Sequence, residues 1–325
     1  MTVTGEPRRI DASAGRDSDR VEVRVEVRPP SPFRMPRRLG LDRLARRRGD
    51  VVQRLIHRGD EPVEIRGVQL AADRVLFGSR AGSEELAEWG IAQMRRWVGV
   101  DLDLREFHER YRFDPLIGPS VRASPQLRPS ARPDPFEALW FAISEQLIEY
   151  ERAAVIQRRM IARLGRRDPL SGLRDGPPAA TIAAQAPARL ASFDLTEGRA
   201  LALRRAAHEV AAGRVGLDST DPDEQERGWR RLRMIAGIGS WTVQTLALRG
   251  QGRVDQLPAG DLAYLKLVGR LRHDGPPGSP APRATEDEVA RFFEPYGEWA
   301  ALAALHALVG QGMGRAGAGA QQLAA

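Results

Sequence analysis

Gly237-Ile238-Gly239 is the tightest local constraint on how this chain can fold. It lies between two stretches with helical spacing. Upstream, Asp221-Pro222-Asp223-Glu224 is a helix start, followed by Trp229, Leu232 and Ile235 on one face. Downstream, Ser240-Trp241-Thr242 opens another helical run. Two glycines around one apolar residue let the backbone turn sharply and present its N–H groups. Ile238 is expected to plug between the two helices. Ser240 and Thr242 fall where free amides and the positive end of a helix dipole favour an anion. A phosphate can sit there without a basic side chain. An ordinary tight turn between helices has the same glycine pattern, so the hairpin alone names no ligand.

Asp261 lies 22 positions beyond Gly239. It follows Leu257-Pro258-Ala259-Gly260 and precedes Leu262 to Val268, a clear helical run. Taken alone, it reads as an N-cap.

The first 20 residues are polar and featureless and are expected to be a flexible tail. Val21 to Arg28 alternates strictly, the period of a half-buried strand, and Pro29-Pro30 stops it. Leu41 to Gly59 is expected to hold a helix and a strand. Val63–Leu70 and Arg74–Gly78 read as a hairpin around Ala71-Ala72-Asp73. Ser83 opens a helix with Leu86, Gly90, Met94 and Trp97 on one face. Residues 21–113 are therefore expected to be an N-terminal α+β domain. After residue 114 the strand signal disappears. Gly118 to Asp134 reads as a linker or wrapping loop, and Asp134-Pro135-Phe136-Glu137 starts a helix running through Leu139, Ile143 and Leu147. Gly165–Pro178 and Gly275–Pro282 read as loops. Residues 114–310 are expected to be all-α, and 311–325 a second flexible tail.

Composition narrows the chemistry. At 325 residues the chain has room for two or three domains, and 42% hydrophobic content supports buried cores. Lys and Arg exceed Asp and Glu by 50 to 43, which suits a polyanionic partner; a general arginine bias would give the same excess. With no cysteine there is no disulfide, no thiolate nucleophile, no Cys-ligated zinc and no iron–sulfur cluster. The five histidines are scattered without metal-binding spacing. No apolar run is long enough to span a bilayer, and the start lacks a signal core. A soluble, cytoplasmic protein is expected.

The joint pattern of capped helix, hairpin, helix, short loop and Leu257-Pro258-x-Gly260-Asp261 resembles the helix–hairpin–helix DNA glycosylase superfamily. It is most similar to the bacterial 3-methyladenine DNA glycosylase II (AlkA) branch. The likeness covers roughly residues 20–310 and is sharpest over 221–262. Asp114-Pro115, Asp134 to Leu139, Ile143-Ser144-Glu145-Gln146-Leu147 and Pro295-Tyr296 agree more weakly. The resemblance implies a mostly α fold with an N-terminal α+β domain, its two all-α subdomains joined around the hairpin.

The resemblance also assigns roles. Asp261 falls on the catalytic carboxylate. Breaking a base from deoxyribose develops positive charge on the sugar, which a fixed carboxylate stabilises while it positions or deprotonates water. Some superfamily members attack the sugar with a lysine at the position held here by Trp241. That implies a monofunctional hydrolase without a lyase step, with Trp241 stacking on a flipped, electron-poor base; packing between the hairpin helices is its other reading. Leu147 matches the wedge that fills the gap left by the extruded base, with Gln146 beside it; alone it would read as a helix-face core residue. Gly237, Ile238, Gly239, Ser240 and Thr242 would hold the DNA backbone. The base pocket would include Trp241, Thr245, Leu305 and Trp299. The branch often has aromatics at the positions of Thr245 and Leu305, and its C-terminal motif reads here as Pro295-Tyr296-Gly297-Glu298-Trp299-Ala300, so Trp299 or Tyr296 would have to compensate. No cofactor or catalytic metal is implied, although hairpin carbonyls near Ile235 and Ile238 can hold a sodium or potassium ion.

The implied activity is excision of alkylated purines of the 3-methyladenine type from duplex DNA by base flipping. The expected partner is double-stranded DNA with damaged bases, bound by a monomer in the nucleoid and not by a membrane protein. The thinner aromatic pocket leaves open a catalytically weak or inactive damage-binding module of the same fold. An enzyme acting on deaminated or oxidised bases is a third reading.

Overall fold

The computed structural model describes residues 8–14, 20–129, 131–273 and 281–312. The N-terminal part is a six-stranded antiparallel sheet in the order β1-β2-β6-β5-β4-β3. Its strands are β1 (Arg8–Ala14), β2 (Val21–Val27), β3 (Ala45–Arg48), β4 (Val51–Arg58), β5 (Glu61–Ala71) and β6 (Arg74–Ala81). The strict alternation of β2 puts Val23 and Val27 in the core with Val21 and Val25 packed against it. Helix α1 (Glu84–Val98) lies on the sheet, capped by Ser83, whose hydroxyl accepts from the Leu86 N–H. Leu86 and Met94 fill the space beneath it, as their spacing predicts, with Trp97 packed at the margin; Ile91, outside that spacing, is buried beside them.

Eleven of the helices that follow are α2 (Arg105–Tyr111), α3 (Gly118–Ala123), α4 (Pro135–Glu145), α5 (Tyr150–Leu164), α6 (Ala179–Ala183), α7 (Pro187–Ala191), α8 (Glu197–Ala211), α9 (Pro222–Arg233), α10 (Ser240–Gly250), α11 (Leu262–Leu271) and α12 (Glu286–Phe293). A 3-10 turn (Glu294–Trp299) then leads into α13 (Ala300–Gly310). About half of the described residues are thus helical, with an N-terminal α+β part. The helices enclose two apolar cores. One gathers α4, α5, α8, α9 and α10 around Trp140, Ile156, Leu203, Leu232 and Leu246. The other gathers α2, α11, α12 and α13 around Phe107, Tyr264, Leu267, Phe293 and Leu302.

Four sequence expectations are corrected. Arg8–Ala14, placed in a flexible tail, pairs with β2; an edge ladder needs backbone groups rather than an apolar pattern. The remainder of that tail, residues 1–7 and 15–19, lies outside the described residues, as do 274–280 and 313–325, which hold most of the expected Gly275–Pro282 loop and C-terminal tail. Leu41–Gly59 holds two strands and no helix; the Arg-rich β3 carries no alternation to read. The expected loop over Gly118–Asp134 begins with α3, entered through Asp114, whose carboxylate accepts from the Leu116 and Ile117 amides at 2.8 Å each. Finally, α4 stops at Glu145 rather than continuing through Leu147.

A buried ionic cluster joins sheet to helices. Arg54 of β4 pairs with Glu137 of α4, and Arg132 reaches Asp42 at 2.9 Å and Glu137 at 3.1 Å. Glu137 was expected only as a first-turn acid. The strand that partners it lies 83 positions earlier, beyond any local pattern.

Candidate active site

The hairpin forms as its sequence predicts. Asp221 caps α9 by accepting from the Asp223 amide, and Trp229 and Leu232 are buried, with Ile235 packed at the margin. Gly237 takes φ +89°, a left-handed conformation that strains a side chain, so glycine is required for the turn. Gly239 is extended, with φ −101° and ψ −172°, a conformation open to any residue. What glycine supplies there is space, since nothing lies within 4 Å of where a Cβ would stand. Ile238 is buried between the helices. Its N–H donates to the Ile235 carbonyl at 3.0 Å.

Helix α10 starts at Ser240, and its first amides have no acceptor within the helix. The two hydroxyls assigned to the anion site are already engaged. Ser240 Oγ donates to Glu286 Oε1 at 2.6 Å, and Thr242 Oγ1 accepts from Gln146 Nε2 at 2.9 Å. Glu286 was not foreseen. The visible signal was Thr285-x-x-Glu288, a capping box that places Glu286 in the first turn of α12.

Helix α4 and the loop that follows it are fastened to α10 and the hairpin in three ways. Gly250 of α10 lets α4 approach closely; a Cβ there would stand 2.9 Å from the Ala138 Cβ. Arg249 Nη1 donates to Glu145 Oε2 at 3.0 Å, both groups being buried or nearly so. Gln146, the residue after α4, donates to the Gly237 carbonyl at 2.8 Å as well as to Thr242. Leu147 then stands at φ +56° with its side chain fully exposed. It is not a helix-face core residue. Chain direction is spent on holding an apolar side chain out in water beside the hairpin.

Asp261 caps α11, and the cap uses only half of the carboxylate. Oδ1 accepts from the Ala263 amide at 2.9 Å, while Oδ2 faces the Trp241 indole N–H at 3.4 Å. Asp261 and Trp241 are both partly exposed. The structural and chemical readings of the acid are therefore compatible. Tyr264, one turn on, is buried; burial raises its phenol well above the usual range, and the nearby Asp261 charge adds to this. Among the described residues its hydroxyl has no hydrogen-bond partner, nor have the buried Thr245 Oγ1 and Trp299 Nε1.

The structure brings Gly237 to Thr242, Gln146 and Leu147 together, and Asp261 beside Trp241. It leaves the rest of the expected pocket closed: Thr245 is 2%, Leu305 1% and Trp299 8% exposed. Tyr296 turns away to Asp114, donating to its carboxylate at 3.2 Å. Among the described residues no group of three or more His, Asp or Glu side chains is placed to hold a metal ion.

No family model matches the chain. It is 24% identical over 218 residues to a DNA-3-methyladenine glycosylase of Bacillus subtilis, covering 66% of this chain and 70% of the relative. It is 29% identical over 249 residues to DNA-3-methyladenine glycosylase 2 of Escherichia coli, covering 75% and 81%. The solved 3-methyladenine DNA glycosylase of Archaeoglobus fulgidus superposes with a TM-score of 0.71 at 17% identity, covering 87% of this chain and 97% of that one.

Proposed function

We infer that this chain, which belongs to the AlkA-like 3-methyladenine DNA glycosylases, hydrolyses the N-glycosidic bond of alkylated purines in double-stranded DNA, with Asp261 as its catalytic carboxylate. It is a DNA glycosylase of base-excision repair, and DNA is its partner.

The observation that carries the assignment is the divided carboxylate of Asp261. One oxygen is fixed by the α11 amide and the other lies toward Trp241, at the end of the helix that leaves the hairpin. As the base departs, positive charge grows on the sugar, and a carboxylate already oriented by a backbone hydrogen bond stabilises it without reorganising. An alkylated purine carries positive charge, so it leaves without strong general-acid help. Trp241 offers a ring face to that cation. Leu147 fills the space left in the duplex when the nucleotide turns out, and Gln146 keeps the wedge in register with the hairpin. With tryptophan in place of an amine nucleophile there is no Schiff base and no strand cleavage.

On this reading residues 21–113 are an N-terminal domain whose last helix, α2, is shared with the helical region. Residues 114–310 form two subdomains, one around each apolar core, joined at the hairpin. The enzyme acts as a monomer in the cytoplasm. Thr245 and Leu305 enter the base pocket only when the closed packing around α10 and α13 opens to admit a base.

The test is Asp261→Asn assayed on methylated duplex DNA. Affinity is expected to stay within a few-fold of wild type while base release is nearly abolished. Base release at the wild-type rate would remove Asp261 from the mechanism. Tight binding without release by the wild-type chain would instead identify a damage-binding module.

A further inference from the structure

The connection from β2 to β3 crosses from near one edge of the sheet to the other. Its charge is one-sided. From Arg34 to Arg48, seven of fifteen residues are arginine, and Asp42 is the single acid. Asp42 is buried and already engaged by Arg132 at 2.9 Å. Arg46, Arg47 and Arg48 lie on the edge strand β3, where charge prevents strand-to-strand association. That account does not reach Arg34, Arg37, Arg38 and Arg43, which precede the strand. All four are exposed. Among the described residues none of their guanidinium groups has a hydrogen-bond or ion-pair partner, whereas those of Arg20, Arg95, Arg105, Arg152 and Arg214 each hold a carboxylate. Arg43 is held outward at φ +66°.

These arginines sit close to the wedge. The Leu41 N–H donates to Tyr150 Oη at 3.2 Å, and Arg158 Nη1 donates to the Leu41 carbonyl at 2.8 Å. Tyr150 is the first residue of α5, three positions after Leu147. Behind the turn is a cleft of about 670 Å³ lined by Arg34, Arg37, Arg38, Tyr150 and Arg54. Arg54 is 1% exposed, and its buried Nε has no partner among the described residues. A cleft rimmed by unpaired guanidinium groups repels cations and collects phosphates.

We propose that the Arg34–Arg43 turn and its cleft are a second phosphate-binding surface, which takes the sugar–phosphate backbone of the duplex flank beyond the damaged base. It rests on the glycosylase reading and adds to it: the hairpin grips the backbone at the lesion, and the N-terminal part grips it further along. The sheet is then part of the DNA interface rather than only a buttress.

The experiment compares wild type with the triple variant Arg37→Ala, Arg38→Ala, Arg43→Ala on lesion-bearing duplexes of about 10 and about 24 base pairs over a salt series. Each lost phosphate contact removes about 0.9 from the slope of log affinity against log salt, so the slope on the long duplex is expected to fall by about 2 to 3. Affinity for the long duplex at about 100 mM salt is expected to drop at least tenfold. Base release from saturated short duplex should change less than twofold. The corresponding triple lysine variant should keep most of the slope, since the charge stays. An unchanged slope on the long duplex, with the fold intact by circular dichroism, overturns the proposal. So does an equal loss on both duplexes. Absence of base release by wild type, with the triple variant still losing its slope, would sink the glycosylase reading and leave this surface standing.

Discussion

The Gln146 side chain lies 2.9 Å from the Thr242 hydroxyl, and its amide also donates to the Gly237 carbonyl at 2.8 Å. One residue thereby ties the loop after α4 to both sides of the hairpin turn. Replacing it with alanine removes two hydrogen bonds from a half-exposed position, each worth about 1 kcal/mol. Gln146→Ala is expected to cost about 1–2 kcal/mol in denaturant unfolding. It is expected to reduce base release about tenfold or more if, as proposed, Leu147 is the wedge and the hairpin holds the phosphate, because the two then lose their register; an order-of-magnitude loss from such misplacement is ordinary. Glu is a sharper probe than Ala, since a carboxylate cannot donate to the Gly237 carbonyl. Full activity in Gln146→Glu would show that the tether does not set the register.

Asp261 has a structural duty as the α11 cap beside the chemical one proposed for it, and two substitutions separate them. Asn caps a helix about as well as Asp, so Asp261→Asn is expected to keep its stability within about 0.5 kcal/mol. Asp261→Ala loses the bond to the Ala263 amide and is expected to cost about 1 kcal/mol. Both should lose base release alike. A thermal melt beside an excision assay checks this. Activity that tracked stability across the pair would mean the residue acts only as a cap.

Much of this site is legible in the sequence because its chemistry is local. Ser83, Asp134, Asp221 and Asp261 each cap the helix that follows, and each announces it within three residues. The glycine of the turn is legible for the same reason. What escapes is set at a distance or by backbone geometry. Glu286 meets Ser240 across 46 positions, and Glu137 meets Arg54 across 83. The end of α4 escapes because Leu147 continues the apolar spacing of Leu139 and Ile143, while the hydrogen bonds of Gln146 turn the chain out of the helix. Strand β1 escapes because its partner is a neighbouring backbone and not an apolar face.

The Arg54–Glu137–Arg132 cluster makes a stability prediction. Both side chains of the Arg54–Glu137 pair are about fully buried, at 1% and 2% exposure. Removing Glu137 takes the main partner from the buried Arg54 and leaves Arg132 with Asp42 alone; breaking a buried pair in this way costs about 3–5 kcal/mol. Glu137→Ala is therefore expected to lower the midpoint of unfolding sharply. Glu137→Gln, which still accepts a hydrogen bond, should cost less. If Glu137→Ala proved neutral, the sheet would not be stapled to α4 through this pair.

His306 supplies the pH dependence. It is 0% exposed on α13, stacks on Phe107 with ring centroids 5.3 Å apart, and shares a 3.0 Å hydrogen bond with Ser120. Burial pushes it down from 6.5 to about 4, with the nearby His108 adding to the shift. The folded chain thus holds His306 neutral where the unfolded chain protonates it. The stabilisation is complete above pH 6.5 and is lost as pH falls toward about 4. A shift of this size corresponds to about 3 kcal/mol at 1.36 kcal/mol per unit. In His306→Gln, the decline in stability between these two pH values should flatten by about that amount, even though the variant is less stable at neutral pH. A decline of unchanged steepness would place the acid sensitivity elsewhere.

Leu147 allows a prediction in which stability and activity part company. A left-handed backbone costs a side-chain-bearing residue about 1–2 kcal/mol, and this side chain recovers nothing by packing, since it is fully exposed. Glycine adopts the same conformation freely but gives up some entropy on folding. Leu147→Gly is therefore expected to be neutral to stabilising, by up to about 1 kcal/mol. It should also cut base release from duplex DNA about tenfold or more, because no apolar group remains to occupy the gap in the stack. Release from a lesion placed opposite an abasic site, where less stacking has to be broken, should suffer less. Stability gained without loss of activity would leave the strained leucine without a task, and the wedge would have to be sought on another element of the DNA-facing side.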